Sequence, residues 1–114
     1  MLTVEWLRGY GAKVDEALGR CMNNEAFYLR LVGKAIGDPD FERLGEAIRA
    51  KDLDTGFELA HKLKGMLANL SLTPISAPVE QMTELLRNRT DTDYGPYLDE
   101  IADRREKLIE QLGK

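Results

Sequence analysis

The segment LDTGFELAHKLKGMLANL, residues 53–70, is an uninterrupted amphipathic stretch, longer than any that precedes it in the 114-residue chain. Asp52 precedes it and is of a residue type that caps helix N-termini. We therefore predict one helix from Leu53 to about Leu70, which must bury its apolar stripe against other parts of the chain. The stripe recurs at helical spacing and consists of Leu59, Leu63, Met66, Leu67 and Leu70.

The segments on both sides also carry apolar residues at helical spacing. One helix is expected to start near Ser76, because Pro78 would interrupt the backbone hydrogen bonds unless it lay in the first turn; Thr73-Pro74 is a competing start. Trp6 is expected on a short leading helix that covers one end of the fold, with a docking role as the alternative. The other predicted helices cover residues 11–22 and 25–36, a short helix opened by Asp38 and Pro39, and a last helix capped by Asp93.

Several amphipathic helices with short connections, none able to bury its stripe alone, are typical of a helical bundle. No segment shows the alternating pattern of a strand. We therefore predict an all-α fold, an antiparallel four-helix bundle with short additional N-terminal helices. The chain length is that of one domain, residues 1–114.

The composition excludes several classes of function. The chain has 16 Lys and Arg against 20 Asp and Glu, and its net charge of −4 argues against a nucleic-acid partner. It has no apolar run long enough for a signal peptide or a membrane span, so we expect a cytoplasmic location and no membrane partner. The single Cys21 cannot form an intramolecular disulfide. Because there is one histidine, a metal site with two imidazole ligands is excluded, and no glycine-rich nucleotide loop is present.

That histidine, His61, lies in the middle of the predicted helix, off the apolar stripe. Lys64, Gly65 and Ala68 follow it by three, four and seven residues, which places all four on one helix face. We expect the imidazole to face solvent, with a cation one turn along and no bulky side chain over it. Glycine in mid-helix costs about 1 kcal/mol relative to alanine, so Gly65 is expected to clear space beside the imidazole. Spacing alone leaves a surface histidine, a solvated lysine and a glycine for close helix packing as equal alternatives.

The string HKLKG, residues 61–65, resembles the H-x-L-K-G signature of histidine-containing phosphotransfer (HPt) domains, which carry a phosphoryl group between receiver domains in two-component phosphorelays. The preceding AIRAKDLDTGFELA and the following Ala68-Asn69-Leu70 are similar to the family's pattern, as is the upstream EALGRCMNNEAFYLRLV. Together the resemblance covers roughly residues 10–112. The departures from the pattern leave the histidine, lysine and glycine intact, and they include Met66, Leu67, Ser71, Leu72, Pro78 and Thr83.

The resemblance implies that His61 is the phosphoacceptor and that Lys64, Gly65 and Ala68 provide phosphoryl stabilisation and docking around it. The chemistry suits the residue types, because an imidazole with its ordinary pKa of about 6.5 is largely unprotonated and nucleophilic at neutral pH. The ammonium of Lys64 can reach phosphoryl oxygens if its side chain turns back along the helix.

Two neighbours of His61 are weaker candidates. Lys62 lies about a third of a turn away, and Glu58 could hold the ring by a hydrogen bond, with a solvated carboxylate as the alternative. A hydrolase or lyase that used His61 as general base would need a concave pocket and a second oriented polar group, and the sequence indicates no such group.

The resemblance also implies the partners. These are response-regulator receiver domains and a hybrid sensor histidine kinase, with magnesium bound by the receiver and no cofactor on this chain. We expect a monomeric phosphocarrier that is not an enzyme, because the sequence has no ATP-binding motif. The alternative is a helical adaptor that binds a signalling partner without being phosphorylated.

Overall fold

The computed structural model describes residues 1–113, and in this part the chain is all-helical, as predicted. No helix among these residues is long and apolar enough to cross a membrane. The helix predicted for residues 53–70 is found as Leu53–Asn69. The helices in chain order are α1 (Val4–Tyr10), α2 (Val14–Arg20), α3 (Glu25–Ile36), α4 (Asp40–Arg49), α5 (Leu53–Asn69), α6 (Thr73–Arg87) and α7 (Gly95–Leu112).

Helix α5 lies between α4 and α6 and contacts both, while α7 contacts α6 and α3. The α5–α6 connection is short, residues 70–72, so the chain reverses direction there. The interior is filled by side chains from every helix. The largest fully buried ones include Leu7, Val14, Tyr28, Ile36, Leu44, Leu63, Leu67, Ile75, Met82, Leu86 and Leu108.

The buried face of α5 is rotated from the predicted stripe. Leu63 and Leu67 are buried as expected, but Leu59 and Met66 are only half-buried, and Gly56 and Ala60 occupy the core positions instead. The physical reason is the closeness of the neighbouring helices. A Cβ atom on Gly56 would lie 3.0 Å from the Cδ1 atom of Ile48 in α4 and 3.7 Å from Leu86 in α6.

The predicted start of α6 near Ser76 is wrong. The helix begins at Thr73 with Pro74 in its first turn, and Pro78 lies inside the helix. A proline there removes one backbone hydrogen bond, a cost that burial can offset. Pro78 and its neighbours Ile75 and Val79 are all buried, so tertiary packing maintains the helix through the proline.

Two other helix boundaries differ from the prediction. Helix α2 covers Val14–Arg20 and not residues 11–22. Gly11 (φ 115°) has a left-handed conformation that ends α1, and Met22 (φ 57°) has one that ends α2. Helix α4 starts at Asp40, one residue after Pro39, with the Asp38 carboxylate accepting a hydrogen bond from the Asp40 amide at 2.8 Å.

The last helix, α7, begins at Gly95, and the Asp93 carboxylate accepts a hydrogen bond from the Gly95 amide at 2.8 Å. The leading helix is present as α1. Its Trp6 ring stacks on Tyr10 with centroids 5.2 Å apart, and the Tyr10 hydroxyl donates to the Arg104 carbonyl of α7 at 3.1 Å. Helix α1 therefore packs on α7.

The N-terminal helices hold the turn that ends α5. The Arg20 guanidinium of α2 donates to the Asn69 carbonyl at 2.7 Å and to Ser71 Oγ at 3.1 Å. The buried Tyr28 hydroxyl of α3 donates to the Leu70 carbonyl at 2.9 Å. Three polar contacts thus connect α2 and α3 to the end of the helix that carries His61.

Candidate functional site

His61 lies at the middle of α5 on its solvent-facing side. The side chains of His61 and Ala68 are exposed, as is Gly65, while the Lys64 side chain is 27% exposed. The helix face predicted from spacing is therefore an outer face of the molecule. Its residues are placed there because Gly56, Ala60 and the leucines direct the opposite side of α5 into the core.

The space around Gly65 is open. A Cβ atom added at this position would meet no atom within 4 Å, in contrast to the crowded Gly56 on the same helix. Packing between the helices of this chain therefore does not require a glycine at position 65. An approaching molecule would find no side chain there.

The expectation that no bulky side chain lies over the imidazole is wrong. Phe57 stacks on His61, with ring centroids 5.7 Å apart and an angle of 22° between the planes. The reason is that helical side chains lean toward the N-terminus, so His61 covers the turn that contains residue 57. The signal was available in the sequence as an aromatic residue four positions before the histidine.

Charged residues of α6 extend the site beyond α5. The Arg87 guanidinium lies over the Phe57 ring, 5.4 Å from its centroid, and 3.4 Å from the Glu84 carboxylate. The Lys64 ammonium is 4.0 Å from the same Glu84 oxygen. Glu84 therefore lies between two cations on the α6 side of the histidine face. Neither Glu84 nor Arg87 was identified from the sequence, because residue spacing within α5 carries no information about α6.

Lys62 is occupied elsewhere. Its ammonium is 2.7 Å from the carboxylate of Asp40, which is 2% exposed and also contacts the Arg43 guanidinium at 3.0 Å. Lys62, followed by Arg43, holds the pKa of the Asp40 carboxyl below its ordinary value. The ion pair connects the start of α4 to α5, so the partner of Lys62 is a buried carboxylate, whereas that of Lys64 is the exposed Glu84.

The other candidate neighbour of the imidazole is Glu58. Glu58 is exposed, and no hydrogen bond within residues 1–113 joins it to His61. Five clefts on residues 1–113 have linings that do not include His61. The same part of the chain contains no group of three His, Cys, Asp or Glu residues arranged to hold a metal ion.

Comparison with protein-family models matches residues 37–113 to the family described as Hpt domain. The match covers about two thirds of the chain, from the end of α3 through α7, and includes His61 and its neighbours. No curated protein and no solved structure gave a match. Helices α1, α2 and α3 precede the matched range, although their buried side chains belong to the same core.

Proposed function

Since the chain belongs to the Hpt domain family, whose members take part in phosphotransfer in two-component signalling, we propose that His61 is the phosphoacceptor of a phosphorelay intermediate. The chain would accept the group from the phosphorylated aspartate of one receiver domain and pass it to another. The observation that carries the proposal is the placement of the only histidine on an exposed helix face, beside an open Gly65 and next to Lys64.

The transfer needs no base on this chain. A nitrogen lone pair of the neutral imidazole forms the N–P bond while the P–O bond to the receiver aspartate breaks, and the electron pair of that bond stays on the aspartate carboxylate. The other ring nitrogen keeps its proton during the attack. The magnesium ion that offsets charge on the phosphoryl oxygens would be bound by the receiver.

Lys64 would supply the charge stabilisation from this side. Helical side chains generally lean toward the N-terminus, which is the direction of His61 from Lys64. The only described ion pair of Lys64 is the 4.0 Å contact with Glu84. An ammonium held so loosely can move to phosphoryl oxygens at little cost. Gly65 and Ala68 would leave room for the receiver surface.

The family assignment also supports a more detailed fold and partner set. The helices would form an antiparallel four-helix bundle with short additional N-terminal helices. The partners would be response-regulator receiver domains and a hybrid sensor histidine kinase. The monomeric state, the cytoplasmic location and the absence of enzymatic activity remain predictions.

The decisive experiment is phosphotransfer from a phosphorylated receiver to the parent protein and to His61→Gln. We expect the parent to acquire an acid-labile, base-stable phosphate and the variant to acquire none, with unchanged helical circular dichroism because residue 61 is exposed. Phosphate retained by the variant would remove His61 as acceptor. A parent that binds receivers but never takes the label would instead favour the adaptor alternative.

A further inference from the structure

Phe57 is placed to restrain the histidine. We propose that Phe57 is a positioning residue that holds the His61 imidazole in the orientation needed for phosphoryl transfer, an inference that rests on the proposed function of His61. The two rings are nearly parallel, and their centroid distance of 5.7 Å lies within the range of favourable aromatic pairs.

Phe57 is itself held in place. It is half-buried and packs against the hydrophobic core, while the Arg87 guanidinium lies over its ring at 5.4 Å. Arg87 is in turn paired with Glu84 on the same helix at 3.4 Å. The histidine ring therefore rests on a surface that is anchored from both α5 and α6.

An exposed histidine without such a contact would exchange among several side-chain rotamers. No hydrogen bond within residues 1–113 holds the His61 imidazole, so the Phe57 ring is the restraint that this part of the structure provides. In-line attack on phosphorus requires a defined nitrogen position, and small displacements from it slow a transfer strongly. Contact with Phe57 would restrict the imidazole before the receiver binds and would so lower the cost of placing the attacking nitrogen.

The kinetic test compares Phe57→Leu with Phe57→Tyr. Phe57→Leu keeps an apolar side chain on the core but removes the aromatic face, and should slow transfer at saturating receiver about two- to tenfold. The receiver concentration for half-maximal rate should not change, because docking is unaffected. Phe57→Tyr should restore the rate. Phe27→Leu, the same substitution at an exposed position on α3, is the matched control and should transfer at the parent rate.

A spectroscopic test reads the contact directly. The chain has one histidine, so its imidazole NMR signals are unambiguous. The Phe57 ring should displace the His61 ring-proton shifts, and this displacement should disappear in Phe57→Leu and persist in Phe57→Tyr and Phe27→Leu. Circular dichroism checks that each variant folds.

The outcomes separate the two proposals. If the parent is labelled on His61 but Phe57→Leu transfers at the parent rate, or Phe57→Tyr is as slow as Phe57→Leu, the positioning role is overturned and the proposed function stands. If the parent takes no label at all, both are overturned. Unchanged His61 ring-proton shifts in Phe57→Leu would also overturn the positioning role.

Discussion

At the scale of single residues, the two lysines beside His61 are distinguished by their partners. Lys62 is paired with the buried carboxylate of Asp40 at 2.7 Å, whereas Lys64 is 4.0 Å from the exposed Glu84. The sequence HKLKG ranks the two only by their angle on the helix. Their contacts predict that Lys62 contributes to stability and that Lys64 contributes to phosphotransfer.

We therefore expect Lys64→Ala to slow phosphotransfer at sub-saturating receiver while leaving the melting temperature nearly unchanged, since a 4.0 Å ion pair to an exposed carboxylate contributes little. Lys62→Ala is the matched comparison. It should lower the melting temperature by several degrees, because it removes a partner of a buried carboxylate. A Lys64→Ala protein that transfers at the parent rate would remove Lys64 from the site.

A larger side chain at Gly65 should have opposite effects on folding stability and on the rate of phosphotransfer. Gly65→Gln should fold at least as well as the parent, because nothing lies within 4 Å of the new Cβ and the helix gains up to about 1 kcal/mol. It should transfer at least tenfold more slowly, because the side chain obstructs the receiver beside His61. Thermal unfolding and transfer rates measure the two effects.

The control for this variant is Gly19→Gln, at another helical glycine with open surroundings, which should leave transfer unchanged. Loss of folding in Gly65→Gln would mean that the glycine is needed for packing. A folded Gly65→Gln with the parent transfer rate would mean that the receiver does not approach over this position.

At the scale of elements, the Asp40–Lys62 ion pair that joins α4 to α5 makes stability depend on pH. Lys62 and Arg43 lower the pKa of the folded-state Asp40 below its ordinary value of 3.8. A carboxyl with a lowered folded-state pKa stabilises the fold above its unfolded-state pKa, and this contribution is lost as the pH falls through the folded-state value.

The prediction is a difference between two unfolding curves. The stability gap between the parent and Lys62→Ala should shrink as the pH falls toward the lowered folded-state pKa of Asp40, because Asp40 in the variant has lost this cation and takes up its proton at a higher pH than in the parent. Urea unfolding at a series of pH values measures it. Glu16 and Glu42 also have lowered pKa values, but their contributions to stability are the same in both proteins and cancel in the difference between parent and variant. A gap that is independent of pH would exclude Asp40 as the partner that matters.

At the scale of the whole molecule, the N-terminal helices contact the part matched to the family, and we predict that the two parts unfold together. Tyr28 of α3 is fully buried and donates its hydroxyl to the Leu70 carbonyl, and burial raises the pKa of Tyr28 to about 12. Residues 1–36 lie before the family match, yet their side chains donate hydrogen bonds to the carbonyl groups at the C-terminal end of α5.

Tyr28→Phe should therefore lower the free energy of unfolding of the whole chain by about 1–3 kcal/mol, because it leaves a buried carbonyl unpaired. The unfolding transition should remain single. Tyr97→Phe is the control, since no hydrogen bond of the Tyr97 hydroxyl is found within residues 1–113, and it should be nearly neutral. Two separate transitions in the parent or in Tyr28→Phe would contradict a single cooperative unit.

The sequence by itself determined the all-helical class, the extent of α5 and the exposed face of His61, because helical periodicity is a local property of consecutive residues. It also contained the spacing that joins Phe57 to His61. Only the tertiary structure decided that Gly56 and Ala60 face the core, since their small size matters through the closeness of α4 and α6. The tertiary structure likewise decided that Pro78 is buried, that Lys62 pairs with Asp40 and that Lys64 pairs with Glu84. Each of these contacts depends on the position of a neighbouring helix, which the sequence of one helix does not encode.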